Sequence, residues 1–281
     1  MKFTAKEVAD YYNTTQVHYK KWWNLEDTLS LHYGIWEKGI KSFGQSLINT
    51  NRVMMELSGI SSSDKILDAG CGVGGAALFL SKNKQTEVVG ITLSEKQIEL
   101  ATQSAIKRKL DNRVTFLLMD YTQTSFKDES FDVVWACESV SSVHDKNLFI
   151  KEAFRVLKKG GRLILSDFFT TGKSQPDKHN WMKKWGETWS ISNFDTLDAF
   201  VDKLTKQGFN TVKTHDYTDK IQKSAKRMYY TALLGSIPSE LYNLIHPNVS
   251  PFAKNHYKCG YYQYKALRQK LWQYNIITAI K

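Results

Sequence analysis

Residues 66–75, Ile-Leu-Asp-Ala-Gly-Cys-Gly-Val-Gly-Gly, decide the fold of this chain. A short apolar run leads into the glycines, and a run that favours a helix follows them. Glycines allow a sharp backbone turn and a close approach of the main chain to a ligand. Because such a turn between a strand and a helix commonly holds a nucleotide, the stretch predicts an α/β fold with a ligand site at this point.

The carboxylate of Asp68 separates two kinds of ligand. Gly70, Gly72 and Gly75 also fit the GxGxxG spacing of nicotinamide dehydrogenases. A carboxylate at the end of a buried strand is costly unless a cation answers it. It would repel a pyrophosphate but accept the methionyl ammonium of S-adenosylmethionine (SAM). The alternative is an Asp that only stabilises the turn.

Short β-branched runs alternate with longer helical runs from Lys65 to Asp167, which predicts parallel strands joined by crossover helices. We expect helices at 74–82, 94–109 and 146–158, the second with Ser94 as its cap and Gln97 at the capping-box position. Two further strands are predicted at 209–217 and 272–281. The fold class is therefore a doubly wound, Rossmann-like, mostly parallel seven-stranded sheet.

The segments outside this alternation predict helical additions to one catalytic domain. Residues 1–60 lack strand signals, are rich in Tyr and Trp, and are expected to form a lid over the site. Residues 61–281 form the main domain, with helical cap insertions at about 174–206 and 224–264. The spacing of Trp181, Trp185 and Trp189 puts them on one helix face, where core packing is a better reading than a cofactor box.

Composition excludes several classes of protein. The chain has 281 residues, 42% of them hydrophobic, and no run of eighteen apolar residues or signal-peptide pattern, so a cytoplasmic location is expected. Three dispersed cysteines suggest neither disulfides nor a zinc site. The net charge of +11 is spread along the chain, so no nucleic-acid partner is expected, whereas contact with a membrane surface without stable insertion stays open. The oligomeric state is also left open.

Polar and aromatic residues follow the next two predicted strands. Thr92 stands where an Asp or Glu ordinarily binds ribose, and its hydroxyl can act with the backbone of Leu93 and the amide of Gln97. At the third strand end, Asp120 can accept from an adenine amino group while Tyr121 packs on the base. Three such pieces at successive strand ends favour a nucleoside-bearing cofactor.

With these motifs in place, the chain resembles class I SAM-dependent methyltransferases of the type 11 group. It is similar to the small-molecule branch that includes tocopherol, sterol, sarcosine/dimethylglycine and phosphoethanolamine methyltransferases and cyclopropane fatty acid synthases. The resemblance rests on HYGIW (32–36), ILDAGCGVGG (66–75), VVGITLSEKQ (88–97), MDY (119–121), FDVVWACES (131–139) with His144, and RVLKKGGRLILSD (155–167).

The resemblance implies a set of cofactor-binding residues. Tyr19 or Tyr33 would close over the methionyl end of SAM. Thr92, Leu93 and Gln97 would hold the ribose, and Asp120 and Tyr121 the adenine. The complete set is Tyr19, Tyr33, Asp68, Gly70, Cys71, Gly72, Thr92, Leu93, Gln97, Asp120, Tyr121 and Cys137.

Absent motifs narrow the acceptor. Prolines stand only at 176, 238, 247 and 251, so the Pro-Pro motif of nucleic-acid amino methyltransferases cannot follow the fourth strand. No Pro-Cys nucleophile exists, and Asp167 lacks the partners of a catechol-type metal cluster, so no metal is expected.

Glu138 and His144 follow the fourth strand and are the expected catalytic pair, able to take a proton from the acceptor or to steady developing positive charge. The alternatives are a solvated loop Glu and a His that satisfies a turn carbonyl.

The abundant aromatic residues favour a lipophilic or isoprenoid-type small-molecule acceptor, with a small amine as the next candidate. A nicotinamide oxidoreductase and a SAM-fold binding protein without transfer chemistry are the more distant alternatives.

Overall fold

A computed structural model describes residues 3–22, 28–172, 176–246, 248 and 250–281; the side chains of residues 15–22 and 251 lie outside this description. Seven strands form one sheet in the order β3-β2-β1-β4-β5-β7-β6. The strands are β1 (Lys65–Ala69), β2 (Glu87–Thr92), β3 (Val114–Leu118), β4 (Phe131–Cys137), β5 (Leu157–Thr170), β6 (Asn210–Asp216) and β7 (Trp272–Ile280).

Helices flank the sheet and extend beyond its carboxyl edge. In chain order the described α-helices are α1 (Ala5–Trp22), α2 (Phe43–Leu57), α3 (Gly75–Lys84), α4 (Glu95–Lys107), α5 (Lys146–Val156), α6 (Trp181–Trp189), α7 (Leu197–Gln207), α8 (Gln222–Ile245), α9 (Pro251–Asn255) and α10 (Lys258–Arg268). The predicted class, a doubly wound and mostly parallel seven-stranded sheet, is confirmed. The boundary between a lid at 1–60 and a main domain at 61–281 stays a prediction.

The strand order creates a crevice beside β1. β1 pairs in parallel with β2 on one side and with β4 on the other, so the chain reverses its direction of winding there. In open α/β sheets, ligands bind outside the carboxyl ends of the strands at such a switch point. β7 is inserted antiparallel between β5 and β6.

Alternate residues of the strands feed two hydrophobic clusters, one on each face of the sheet. Ile66 belongs to one cluster and its neighbour Leu67 to the other. Strands buried on both faces read as continuous apolar runs, which is why the central strands were recognisable in the sequence. Trp185 and Trp189 are buried in the first cluster against Phe168, which supports packing as the role of the tryptophan stripe.

The fifth strand is longer than the sequence predicts. We expected a helix to Lys158, but α5 ends at Val156 and β5 begins at Leu157, which pairs with Phe131. The register between β4 and β5 then shifts before Arg162 pairs with Val133. The strand therefore follows the helix directly, and no glycine, proline or other turn residue between them marks the boundary in the sequence.

Candidate active site

A partly open cavity lies at the switch point and contains about 550 Å³ of space that protein atoms do not fill, part of it open to solvent. It is bounded by the ends of β1, β2 and β4 and by the N-terminal helix α1. Its walls are formed by Val8, Tyr12, Leu31, Gly70, Gly72, Thr92, Leu93, Gln97, Tyr121, Cys137, Glu138, Ser139 and Ser142. Eight of these are among the fourteen site residues predicted from the sequence.

The glycine-rich turn is shaped by the close approach of another loop. Gly70 has φ +88, a conformation that side chains disfavour, and an added Cβ would lie 2.4 Å from the Cβ of Ser139. The Ser139 hydroxyl donates to the carbonyl oxygen of Ala69 at 2.7 Å. Only glycine lets the loops after β1 and β4 meet here, and both loops then border the cavity.

Asp68 is buried near the end of β1, and no cation of the described residues forms an ion pair with it. Its Oδ2 has no hydrogen-bond partner among the described residues. Burial raises the pKa of Asp68 to about 7, although the backbone N–H of Ala77 acts in the opposite direction. Asp68 does not itself line the cavity, but it lies directly behind Gly70. A positively charged ligand group near this turn would stabilise the ionised form.

The residues after β2 form a fixed polar pair. Thr92 donates its hydroxyl to Oε1 of Gln97 at 2.6 Å, and Ser94 caps α4 by accepting from the backbone N–H of Gln97 at 3.2 Å. The predicted capping role of Ser94 is present, but the side chain of Gln97 is turned towards Thr92 and the cavity. Leu93 also lines the cavity, so all three predicted ribose residues border it.

After β3, the two predicted adenine residues differ in their placement. The Tyr121 ring lines the cavity, and its hydroxyl donates to the carbonyl oxygen of Ser139 at 2.7 Å. Asp120 lies outside the cavity wall, and its Oδ1 accepts from the N–H and the hydroxyl of Thr122 at 2.8 and 2.7 Å. Asp120 therefore holds a turn, while Tyr121 faces the ligand space.

Glu138 brings a carboxylate into the cavity from the end of β4. Its backbone is held at φ +51, a strained conformation for a residue with a side chain. Oε1 accepts from the backbone N–H of Tyr33 and from the hydroxyl of Tyr274, both at 2.7 Å. Oε2 is buried and has no partner among the described residues. Burial raises the pKa of Glu138 well above its usual value, and the charge of Asp167 raises it further.

Two buried charged residues, Asp167 and Lys146, support the loop after β4. Asp167 accepts from the backbone N–H groups of Ser141 and Phe168 at 2.8 and 2.9 Å, and burial raises its pKa to about 6. Burial also lowers the pKa of Lys146 to about 8, while its Nζ donates to the carbonyl oxygens of Ser141 and Val143. These groups fix the loop that carries Ser139 and Ser142 into the cavity wall.

Besides Asp68 and Asp120, four more predicted residues are not part of the cavity wall or have side chains outside the described residues. The ring of Tyr33 is buried among Phe168, Trp189 and Trp272, and its hydroxyl donates to Gln263 at 2.8 Å, so only its backbone reaches Glu138. This corrects the expectation that the Tyr33 side chain closes over the ligand: an aromatic cluster holds the ring in the core.

The other three are Cys71, His144 and Tyr19. Cys71 is buried behind the turn and contributes no atom to the cavity wall. His144 also does not line the cavity, and its Nδ1 is buried without a partner among the described residues, so its catalytic role stays a prediction. The side chain of Tyr19 lies outside the described residues.

The sequence missed several residues of the wall. Tyr12 and Val8 reach the cavity from α1, and burial raises the pKa of Tyr12 to about 12 against the lowering effect of Ser142. The aromatic residues within 1–36 indicated that this segment covers the site, but they did not indicate which tyrosine side chain lines the cavity. Ser139 and Ser142 could have been found as the residues next to Glu138 on a short 3-10 turn.

Two further structural observations bear on the site. No cluster of three or more His, Cys, Asp or Glu side chains suited to a metal occurs in the part of the chain that the structure describes. A second cavity, of about 700 Å³, lies between α8 and α10, and none of the predicted site residues lines it.

Comparison with known proteins finds methyltransferases as relatives of this chain. Residues 67–165 match the family described as "Methyltransferase domain". The chain is 32% identical over 218 residues to "Methyltransferase GfsG" of Streptomyces halstedii, covering 77% of each chain. It is 39% identical to the 27-O-demethylrifamycin SV methyltransferase of Amycolatopsis mediterranei over 50% of this chain and 51% of that one. It is 26% identical to the chloroplastic tocopherol O-methyltransferase of Arabidopsis thaliana, over 81% and 70%.

The match spans about half the length of the rifamycin relative. Among solved structures, the cyclase SpnF superposes with a TM-score of 0.83 at 21% identity, covering 100% of this chain and 97% of SpnF. At that identity the likeness establishes the fold alone.

Proposed function

The chain belongs to the SAM-dependent methyltransferases, and from that premise we propose that it transfers a methyl group from SAM to a small, lipophilic or isoprenoid-type acceptor. The observation that carries the proposal is the cavity at the switch point. Its walls combine the glycine turn, the Thr92–Gln97 pair and Tyr121 with a carboxylate, Glu138, that keeps one oxygen unpaired.

The residues around the cavity fit SAM by their chemistry. Asp68 is a buried acid with an orphaned oxygen, which a ligand ammonium nearby would compensate. Thr92 and Gln97 offer a hydroxyl and an amide suited to ribose hydroxyls, and Tyr121 offers a ring suited to a base. When bound, SAM supplies an electrophilic methyl group on a sulfonium. The ring of Tyr12 would give that cation a favourable surrounding.

Glu138 is the group that we assign to the acceptor. It is the one acid of the cavity wall in the described part of the chain, and two donors on its Oε1 leave Oε2 for another partner. The raised pKa makes the ionised form of Glu138 a stronger base towards a hydroxyl or amine nucleophile. Cavity closure by Val8, Tyr12 and Leu31 would exclude water and align the acceptor.

The apolar wall favours a lipophilic acceptor over a small polar one. Val8 and Leu31 contribute aliphatic surface to the same cavity as Glu138, so an acceptor would bury an apolar body while presenting one polar atom. The named acceptor of the tocopherol relative is of this lipophilic kind. An amine acceptor is the second candidate, since aromatic rings also suit a quaternary product.

The test is methyl transfer from radiolabelled SAM to a panel of isoprenoid alcohols, phenols, sterols and small amines. We expect label in a lipophilic hydroxyl or alkene acceptor, and none in the amines. Transfer to amines alone would replace the proposed acceptor class. SAM binding by calorimetry without transfer to any member of the panel would favour a SAM-fold protein with other chemistry.

A further inference from the structure

The helix α8 carries an unusual outer face. Leu234, Ile237 and Leu244 are each about 80% exposed, at 79, 80 and 80%. At helical spacing of three or four residues they form a line with Tyr230, Leu241 and Ile245, and the exposed side chains of Leu233 and Tyr242 lie on either side of it. Exposed apolar patches of this kind mark interaction sites, because they are costly to leave in water. We call these eight residues the α8 stripe.

Cations border the stripe. Lys223 and Lys226 lie at the amino-terminal end of the same helix face, with the Lys226 Nζ 5.9 Å from the ring centroid of Tyr230. From residue 222 to residue 268, which spans α8 to α10, the chain has seven Lys or Arg residues and a single acidic residue, Glu240. Glu240 is itself paired with Lys258 at 3.3 Å. The segment that carries the stripe therefore has an excess of positive charge, and Lys226 lies against the stripe itself.

We propose that the α8 stripe docks on an anionic lipid bilayer surface. A helix that lies in the interface places its apolar side chains among the acyl chains and its lysines at the headgroups. Tyrosines such as Tyr230 and Tyr242 suit the boundary between the two layers. No helix in the described ranges combines the length and apolar character needed to cross a membrane, so the proposed contact is a surface one.

The positive charge of residues 222–268 disfavours a second copy of the chain as the partner that covers the α8 stripe. A two-fold interface would bring two copies of this cation-rich segment close together, and each copy carries an excess of positive charge. An anionic bilayer neutralises the same charges instead. The inner face of α8, through Met228, Ala232 and Gly235, borders the cavity of about 700 Å³, so apolar space lies directly behind the proposed contact.

Flotation of the full chain with vesicles tests the proposal. We compare vesicles of phosphatidylcholine and phosphatidylglycerol in equal parts with vesicles of phosphatidylcholine alone. We expect binding to the first, weakening as salt rises, and little binding to the second. The double substitution Leu234→Ser with Ile237→Ser should reduce binding about tenfold or more. Lys223→Gln with Lys226→Gln should reduce it about fivefold per cation removed.

The control is Ile106→Ser, which changes an apolar residue that is 58% exposed on α4. It should bind as the wild type does, and all variants should keep the wild-type unfolding midpoint. Equal binding of wild type and Leu234→Ser/Ile237→Ser overturns the proposal. So does a wild type that ignores vesicles but dissociates from dimer to monomer with that substitution, because a second copy then covers the stripe. Neither SAM nor acceptor is present, so this proposal and methyl transfer can fail independently.

Discussion

Three buried acids lie around the site. Burial of each ionised carboxylate costs free energy, and a ligand that pairs with the carboxylate would reduce that cost. Burial raises the pKa values of Asp68 to about 7 and Asp167 to about 6, and that of Glu138 well above its usual range. The charge of Lys146 favours the ionised form of Asp167. Asp68 and Glu138, in contrast, each keep an oxygen without a partner among the described residues. Unsatisfied groups of this kind cluster where binding energy is used for function.

Asp68→Asn tests the role of the buried charge. A folded-state pKa above the unfolded one means that the native state binds more protons, so the Asp68 contribution to the free energy of unfolding falls as pH rises from about 4 to 7. We expect the ligand-free variant to be more stable than wild type at pH 8 and similar at pH 4 in thermal unfolding. SAM affinity measured by calorimetry should drop by about 1.5–3 kcal/mol. Unchanged affinity would make Asp68 a turn residue only.

Glu138→Gln separates acceptor chemistry from cofactor binding. The substitution keeps the shape and removes the charge, so turnover should fall about a hundredfold or more while SAM affinity stays within a fewfold. For a hydroxyl or amine acceptor the loss should shrink at high pH, where the nucleophile ionises unaided; for an alkene it should not depend on pH. Glu99→Gln, on the exposed face of α4, is the matched control. Wild-type turnover in Glu138→Gln would remove this residue from the reaction.

Tyr274→Phe examines how Glu138 is positioned. The Tyr274 hydroxyl donates to Oε1 of Glu138 at 2.7 Å and lowers the pKa of that acid. Removing the hydroxyl keeps the ring in its cluster, so the protein should fold, but the pKa of Glu138 should rise further. We expect the acid limb of the pH–turnover profile to move to higher pH. A purely structural role would lower activity without moving that limb.

At the scale of elements, α1 is the part of the predicted lid that contacts the site. Val8 and Tyr12 line the cavity, and Asn13 accepts from the Ser94 hydroxyl through its side chain at 2.6 Å and from Lys96 Nζ through its carbonyl at 3.0 Å. These contacts attach α1 to the start of α4, next to the Thr92–Gln97 pair. A ligand in the cavity would contact both elements at once.

Hydrogen exchange tests whether α1 responds to the cofactor. Elements held by few buried contacts open locally, and a ligand that bridges them should suppress this opening. We expect amide exchange in residues 5–14 to slow about tenfold or more with saturating SAM. Exchange in α7, which lies away from the cavity, is the internal reference and should stay constant. Equal exchange in α1 with and without SAM would mean that the helix is a fixed wall.

The sequence predicted elements better than side-chain directions. The strands β1 to β4 and the cap of α4 follow from apolar runs and from Ser94, because those signals are local. The inward tyrosine was missed, because Tyr12 and Tyr33 are equally aromatic in sequence and only tertiary packing separates them. Tyr33 is held among core rings, whereas Tyr12 projects from α1 into the cavity. Similarly, no local signal shows that Asp120 turns towards Thr122.

At the scale of the whole molecule, the sheet topology decides what the site can bind. The switch point beside β1 brings the loops after β1, β2 and β4 together, and the loop after β3 adds Tyr121. The same topology serves nicotinamide enzymes, so selectivity comes from the groups placed there. In this chain they are a buried acid at the glycine turn and Thr92 where a ribose-binding acid ordinarily stands. Both oppose a dinucleotide, and the buried acid Asp68 favours a ligand that carries a positive charge.

Thermal unfolding with each cofactor tests this selectivity. A ligand that binds only the native state stabilises it by about 2.7 kcal/mol at a hundred times its dissociation constant, which corresponds to a rise of roughly 5 to 10 °C in midpoint. We expect SAM to produce this rise and NADH to produce none. The rise should be larger at pH 8 than at pH 6, because the ammonium of SAM is favoured by ionised Asp68, whose pKa is about 7. In Asp68→Asn the difference between the two pH values should disappear. A larger midpoint shift with NADH than with SAM would contradict the assignment of this cavity to SAM, and the family fold would then hold a different cofactor.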